Sequence, residues 1–520
     1  MSSTFLYGAL ALALIMLLWN TIEVGRNDAA NLVNAVFGAR VLTRQWAVRI
    51  AGIGVVIGAT MGNQVVETAR KGIFDPVALS GSFDDALARA LSIYISVYIV
   101  NTILLHAYSS FGMPVSTTAC LVFSLLGAAI SMAPIGVVRW TKAGEVIAGI
   151  LCSIALTGIV AFMMQRAVRG AIRDKWASLS ALLLHGGWVG GGMLAGLTYF
   201  MLIKGMKSLS FIERLNEKVI VPYGAFIVVL VLWVVFAIAI HMLLVAFRQR
   251  AAKLLFPILA IIGMVSMAFA FGQNDLANCA SPGLAVIKLF QVRHHPNCVA
   301  EATESSIPWQ GLFVCGVLLV CGMATKGAKR VTQAEVRMGS QGDHVKLWAP
   351  QWCISLASKI LRRQRAAPSL APAMTKSPRG KTMHYDPLRA CVIMSVSACV
   401  IATASGFALP VSTTYVAFAA VVATGLADRI FSRGDAALKL GRSIWVVFSW
   451  FAAAGIAVVA AAAVCQMVFR LGIVGILIGL ALSAATYRIV KRRADAQEDR
   501  VRREAEERMN PDDFALEYEG

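Results

Sequence analysis

The sequence predicts an all-α polytopic membrane protein of about 12 transmembrane spans, built as two inverted repeats with two re-entrant helical hairpins. Three observations carry that prediction. The first is composition. The 520 residues are 58% hydrophobic and 15% charged, against roughly 25% charged in soluble chains. Many uncharged runs are about 17 to 25 residues long, enough to cross a hydrocarbon core of about 30 Å. The second is internal duplication. Gly25-Arg26-Asn27-Asp28-Ala29-Ala30-Asn31 returns as Gly272-Gln273-Asn274-Asp275-Leu276-Ala277-Asn278, and Pro114-Val115-Ser116-Thr117-Thr118 returns as Pro410-Val411-Ser412-Thr413-Thr414. The order is the same both times. The third is charge. Lys and Arg collect in alternate loops, as cytoplasmic loops require. On that alternation the helix entering the first N-D-x-A-N starts outside and the helix entering the second starts inside. Opposed halves of this kind are a common build of secondary transporters.

In chain order, apolar spans include Ser3–Trp19, Leu91–Tyr108, Val146–Met164, Val221–Met242, Leu312–Ala324, Cys391–Leu409 and Ile444–Val468. Ser3–Trp19 has no basic region before it and reads as a retained first helix, not a cleaved signal. The expected division is a first repeat at 1–170, connecting helices at 171–252, and a second repeat that begins at 253–325. A basic cytoplasmic insert follows at 326–386, then the rest of the second repeat at 387–487 and a charged cytoplasmic tail at 488–520. Within the insert, Val345–Arg363 reads as an amphipathic helix on the inner leaflet, and Ala366–Lys381 as a flexible linker. The P-V-S-T-T copies lie further apart than the N-D-x-A-N copies, which the insert explains. The N-terminus is expected outside and the C-terminus inside a plasma membrane, most simply a prokaryotic inner membrane.

A carboxylate at the centre of a bilayer costs about 2.5–3.5 kcal/mol on insertion scales, so two of them need a reason. Asn27, Asp28 and Asn31 lie about one turn apart and can converge, as can Asn274, Asp275 and Asn278. Hard oxygens suit a hard cation; alternatively each Asp takes up a proton. The glycine before each motif is expected to let its helix unwind and free carbonyls for the cation. Pro114 and Pro410 suit helix starts. Ser116, Thr117 and Thr118, with Ser412, Thr413 and Thr414, would then occupy first turns, where N–H groups and hydroxyls favour an anion. Carboxylates cannot face that anion unless protonated or cation-bound, so the pattern predicts cation and anion travelling together.

Other classes fit less well. The net charge of +20 sits in loops, so nucleic-acid binding is not expected. The ten cysteines lie mostly in spans without C-x-x-C spacing and read as packing residues. There is no H-E-x-x-H or G-x-S-x-G, so no enzyme is expected. A passive anion channel would not need Asp28 and Asp275. His106, His185 and His241 read as side chains satisfied within the bundle or at its interface. Ser and Thr usually make interhelical hydrogen bonds in membranes; the paired carboxylates are what argue for more here.

These residues resemble the inorganic phosphate transporter (PiT) family, whose signatures read approximately G-A-N-D-V-A-N and P-[VI]-S-T-T-H in both halves. Glu67-Thr68-Ala69-Arg70-Lys71-Gly72 is similar to its E-T-x-R-K-G. The resemblance implies that Asp28, Asn31, Asp275 and Asn278 line the substrate and cation sites. It implies that Ser116–Thr118 and Ser412–Thr414 hold phosphate, and that Asn27 and Asn274 contribute to the cation site, where Na⁺ would be held with Asp28 and Asp275. It departs at Arg26 and Gln273, where the family has Ala, at Ala119 and Tyr415, where it has His, and across residues 51–60, where sodium-coupled relatives carry a Glu. Arg26 is a candidate anion contact, or it snorkels to the inner surface. The expected function is H⁺- or Na⁺-coupled symport of inorganic phosphate by alternating access, with sulfate or another oxyanion as the alternative from the family's sulfate permease branch. A co-transported cation is implied and no other cofactor. The partners the sequence admits are phosphate or sulfate, membrane lipid and a second copy in a homo-oligomer.

Overall fold

A computed structural model describes residues 3–63, 65–66, 74–82, 85–133, 136, 138–206, 209–295, 297–304, 308–342, 344–362, 383–432 and 434–508. Apart from one isolated bridge between Phe74 and Val138, the described residues are helices and their connections. The first half contributes α1 (Ser3–Gly38), α2 (Arg44–Thr60), α3 (Ala86–Ser110) and α4 (Thr117–Met132). Then come α5 (Trp140–Ile172), α6 (Leu179–Leu197) and α7 (Ala225–Gln291). The remainder comprises α8 (Trp309–Met323), α9 (Lys326–Met338), α10 (Gln351–Arg362), α11 (Pro387–Gly406), α12 (Thr413–Ala427), α13 (Ala436–Leu471) and α14 (Ile473–Arg508).

Eight described helices are long and apolar enough to cross a membrane, or nine if α8 and α9, bent by 67°, form one span. A 67-residue α7 would be about 100 Å long if straight. It is broken at Arg248 (φ 45°, ψ −122°) into two arms. Nearly the same backbone recurs at Arg173 after α5 (φ 55°, ψ −125°) and at Gly472 between α13 and α14 (φ 57°, ψ −125°). These are tight helix–helix turns. α4 and α12 are short apolar helices, each preceded by a longer helix and a brief loop.

The halves interlock by reciprocal packing. α1 lies on α8, and the second arm of α7 lies on α2. A Cβ at Gly25 would sit 2.0 Å from the Leu319 carbonyl oxygen, and one at Gly322 would sit 2.1 Å from that of Ile22. In the mirror contact, Gly272 meets the Val55 oxygen at 2.3 Å and Gly58 meets the Phe269 oxygen at 2.0 Å. Ile22 and Phe269 each stand three residues before their motif glycine, and Val55 and Leu319 each stand three before Gly58 and Gly322. Small residues let membrane helices approach backbone to backbone. This corrects the expectation that Gly25 and Gly272 unwind their helices. Both helices run unbroken through the motifs, because the glycine is used for close approach.

Two buried polar clusters hold the ends of the short helices. Arg169 of α5 pairs with Asp386 (2.6 Å) and Asp428 (2.8 Å), which flank α11 and α12. The loop between α3 and α4 is clasped by arginines. Arg330 donates to the Ser110 carbonyl (2.9 Å) and Arg442 to that of Gly112 (2.9 Å), while Trp450 Nε1 donates to that of Pro114 (3.1 Å). Arg330 also pairs with Asp495 (2.8 Å) and Glu498 (2.5 Å) of α14. Within the insert, α10 buries Cys353 and Ala357 and exposes Trp352, Leu356 and Ile360. The expected linker Ala366–Lys381 and the Glu67–Gly72 phrase lie outside the described residues.

Candidate functional site

α1 has two kinds of surface. Up to Trp19 it alternates buried and exposed residues, whereas from Asn20 to Gly38 nearly every position is buried. Asn27, Asp28 and Asn31 fall in the second part, each 0% exposed. Asn274, Asp275 and Asn278 occupy the matching part of α7 and are no more than 1% exposed. Ser116 and Ser412 cap α4 and α12, accepting from the backbone N–H of Ala119 (3.0 Å) and Tyr415 (3.1 Å). The caps fix where the next two threonines of each phrase stand.

Each motif bonds the P-V-S-T-T phrase of its own half through its first asparagine, and that of the other half through its aspartate and second asparagine. The Asn274 side chain donates to the Val411 carbonyl (2.6 Å) and accepts from the Val411 N–H (3.2 Å). Asn27, with its amide nitrogen toward Val115, donates to that carbonyl (2.9 Å) and to Asp28 Oδ1 (3.1 Å), and accepts from Ser109 Oγ (2.9 Å). The carboxylates cross over. Thr414 Oγ1 donates to Asp28 Oδ1 (2.9 Å), and Thr117 Oγ1 donates to Asp275 Oδ1 (2.9 Å). Asn31 Nδ2 donates to Asp28 Oδ1 (3.1 Å) and Asn278 Nδ2 to Asp275 Oδ1 (2.7 Å). Thr118 Oγ1 donates to the Val411 carbonyl (2.9 Å) and receives Asn278 Nδ2 (2.8 Å). Thr413 lies beside Asp275.

Five oxygens in this cluster have no hydrogen-bond partner: the Thr413 hydroxyl and four acceptor-only oxygens, Asp28 Oδ2, Asn31 Oδ1, Asp275 Oδ2 and Asn278 Oδ1. Leaving a buried polar atom unpaired costs about 1–3 kcal/mol. A cation, a proton or a donor ligand would relieve the four acceptors. Among the described residues no group of three or more His, Cys, Asp or Glu gathers. A cation here would be held by mixed carboxylate and amide oxygens, as hard cations accept.

The structure brings together every Asn, Asp, Ser and Thr of the two phrases, but not Arg26. Its guanidinium pairs with Glu23 (3.1 Å), contacts His106 Nδ1 (3.0 Å) and donates to Ser110 Oγ (3.2 Å). It faces a cavity of about 840 Å³ that Lys326, Arg330, Arg488 and Lys491 also line. Gln273 is likewise turned away, donating to the Gly205 carbonyl (2.7 Å). Tyr415 stacks on Trp450 at 3.9 Å. Sequence reasoning missed Ser109, the backbone of Val115 and Val411, and the Glu23–His106 pair at 3.2 Å. Ser109 and the two valine backbones meet Asn27 and Asn274 only in space. Glu23 could have been found as a second acid one turn before the motif.

An internally duplicated, multi-pass helical membrane protein with a buried polar centre between its halves has the build of a secondary transporter. The Phosphate transporter family model matches residues 24–339 and 379–465, and the chain belongs to that family. It is 26% identical over 457 residues to a Pyrococcus horikoshii protein named "Putative phosphate permease", covering 86% of this chain and 95% of that one. A similarly named protein of Chlamydia trachomatis is 26% identical, covering 83% and 91%, and one of Haemophilus influenzae is 24% identical, covering 82% and 89%. A solved structure described as "The sodium-dependent phosphate transporter" shares the fold. Its TM-score is 0.64 at 21% identity, covering 88% of this chain and 98% of that one.

Proposed function

We propose that the protein is a symporter that moves inorganic phosphate together with H⁺ or Na⁺ across the plasma membrane by alternating access. Its N-terminus lies outside and its C-terminus in the cytoplasm. Phosphate is held by Ser116, Thr117, Thr118, Ser412, Thr413 and Thr414 together with Asn31 and Asn278. The cation is held by Asn27, Asp28, Asn274 and Asp275. The observation that carries this reading is the crossed pairing of Asp28 with Thr414 and Asp275 with Thr117.

In that pairing the hydroxyls an anion needs are donated to carboxylates. An arriving oxyanion must take them over, and it meets two negative charges when it does. Neutralising Asp28 and Asp275 with a cation or proton frees the hydroxyls and removes the repulsion. Coupling follows from competition for the same donors. Because each carboxylate is bonded to the other half's hairpin, emptying or filling the site acts on the contact between the halves, as rocking of one repeat against the other requires. The apolar outer face of α10, with Trp352, Leu356 and Ile360, fits a lipid contact at the inner leaflet.

Competition uptake in proteoliposomes tests the substrate. Labelled phosphate is taken up and challenged with unlabelled phosphate or sulfate. Displacement by phosphate with little effect of sulfate is the expected result. Equal or stronger displacement by sulfate would assign the site to sulfate instead.

A further inference from the structure

We propose that Glu335 is a cation-accepting carboxyl at the inner end of the transport route, reached from Asp28 by way of Asn31 and Asn34. The inference rests on the cation-coupled reading above and adds two residues to it.

Glu335 is out of place by the logic of its own helix. α9 turns Lys326 and Lys329 outward and buries Ala328, Val331, Thr332 and Val336. Glu335 stands on that buried face at 2% exposure. Its Oε1 accepts from Asn34 Nδ2 at 2.7 Å, and its Oε2 has no partner. Among the described residues no Lys, Arg or His pairs with it. The other polar group against it is the Tyr385 hydroxyl, 3.4 Å from its backbone oxygen. Burial pushes the carboxyl up to about 7. A buried acid with one neutral donor is costly. Fastening α9 to α1 would need only an amide in its place.

The carboxyl also ends a row. Asp28, Asn31 and Asn34 follow one another at three-residue steps on α1, all 0% exposed. Asp28 Oδ2, Asn31 Oδ1, Asn34 Oδ1 and Glu335 Oε2 are each unpartnered. A run of free acceptors with no free donor suits a moving cation. Among the described residues the row exists in one half only: in α7 the position matching Asn34 is Ser281, and no described acidic side chain is bonded to it. The route therefore has a direction, toward α9 on the side assigned to the cytoplasm.

Glu335→Gln keeps the size of the side chain and an oxygen for Asn34 but removes the charge. The full chain in proteoliposomes is measured two ways: phosphate exchange at equal concentrations, and net uptake driven by a cation gradient. The variant is expected to keep exchange near the wild-type rate, to lose net uptake by about tenfold or more, and to lose the dependence of net uptake on internal pH. Wild-type net uptake with its pH dependence intact would overturn the inference. So would equal loss of exchange and net uptake, which a merely structural role produces. Asp28→Asn measured in parallel separates the two claims. Normal uptake by that variant removes the coupling reading itself, whereas its inactivity beside a normal Glu335→Gln removes only the role of Glu335.

Discussion

Thr414 Oγ1 lies 2.9 Å from Asp28 Oδ1, and the two residues are 386 positions apart in sequence. From the other half Thr117, which matches Thr413 in the repeat, donates to Asp275 Oδ1 at the same distance. The two halves are thus joined through the groups that the proposed substrates need. Replacing Thr414 or Thr117 by Val removes one donor and leaves a buried carboxylate less satisfied. Each change is expected to lower phosphate uptake by roughly tenfold or more while the protein still inserts. Initial uptake rates in proteoliposomes, scaled to inserted protein, provide the check. Unaltered rates in both variants would separate the crossed pairs from transport.

The interlocking glycines give a prediction about stability. Gly25→Ala or Gly272→Ala puts a methyl into a neighbouring backbone, since the nearest oxygens stand at 2.0 and 2.3 Å. Overpacking of this kind costs about 1–3 kcal/mol. Thermal unfolding in detergent should fall for both, and Gly158→Ala, where nothing lies within 4 Å, should leave it unchanged. Equal melting of all three would mean the reciprocal contact is looser than described.

Arg442 holds the loop that leads into α4 through the carbonyls of Phe111 and Gly112. Arg442→Met keeps much of the stem and removes those donors. Hydrogen bonds from a charged group are worth about 1.5–3 kcal/mol. Faster amide exchange is expected at 110–116 with little change at 407–412, where no arginine clasp is found among the described residues. Matching changes in both loops would show that the clasp is not local.

Glu335 makes stability depend on pH in a defined sense. Burial raises its carboxyl from 4.5 to about 7 in the folded protein. Its contribution is therefore fully present below about 4.5 and is lost as pH rises through about 7. The loss amounts to roughly 3 kcal/mol. Glu335→Gln should melt higher than wild type above neutral pH and lose the advantage in acid. A constant offset between the two at every pH would contradict the assignment.

Much of this was readable in the sequence because cost leaves a trace. Asp28 and Asp275 stand out among apolar neighbours, and their duplicate phrases fix which residues belong together. The class of fold followed from composition and the length of the uncharged apolar runs, and its inverted halves from the duplication and the loop charges. What could not be read was pairing in space. Asp28 meeting Thr414 and not Thr118 depends on how two halves interlock. Gly25 carries no mark that separates close approach from unwinding. Arg26 looked like an anion contact because it sits inside the phrase, yet on a helix its neighbour two positions away points elsewhere, and Glu23 holds it. Glu335 escaped notice because a Glu in a basic insert looks solvated until α1 covers it.

The most direct test of the account is concentrative uptake of labelled phosphate by proteoliposomes under one imposed gradient at a time. Wild-type protein should accumulate phosphate above the external level under a Na⁺ gradient or a proton gradient, and should only equilibrate when neither is present. Asp28→Asn and Asp275→Asn should fail to accumulate under either gradient. Accumulation by both Asn variants, or equilibration by wild type whichever gradient is applied, would contradict coupling through the paired carboxylates.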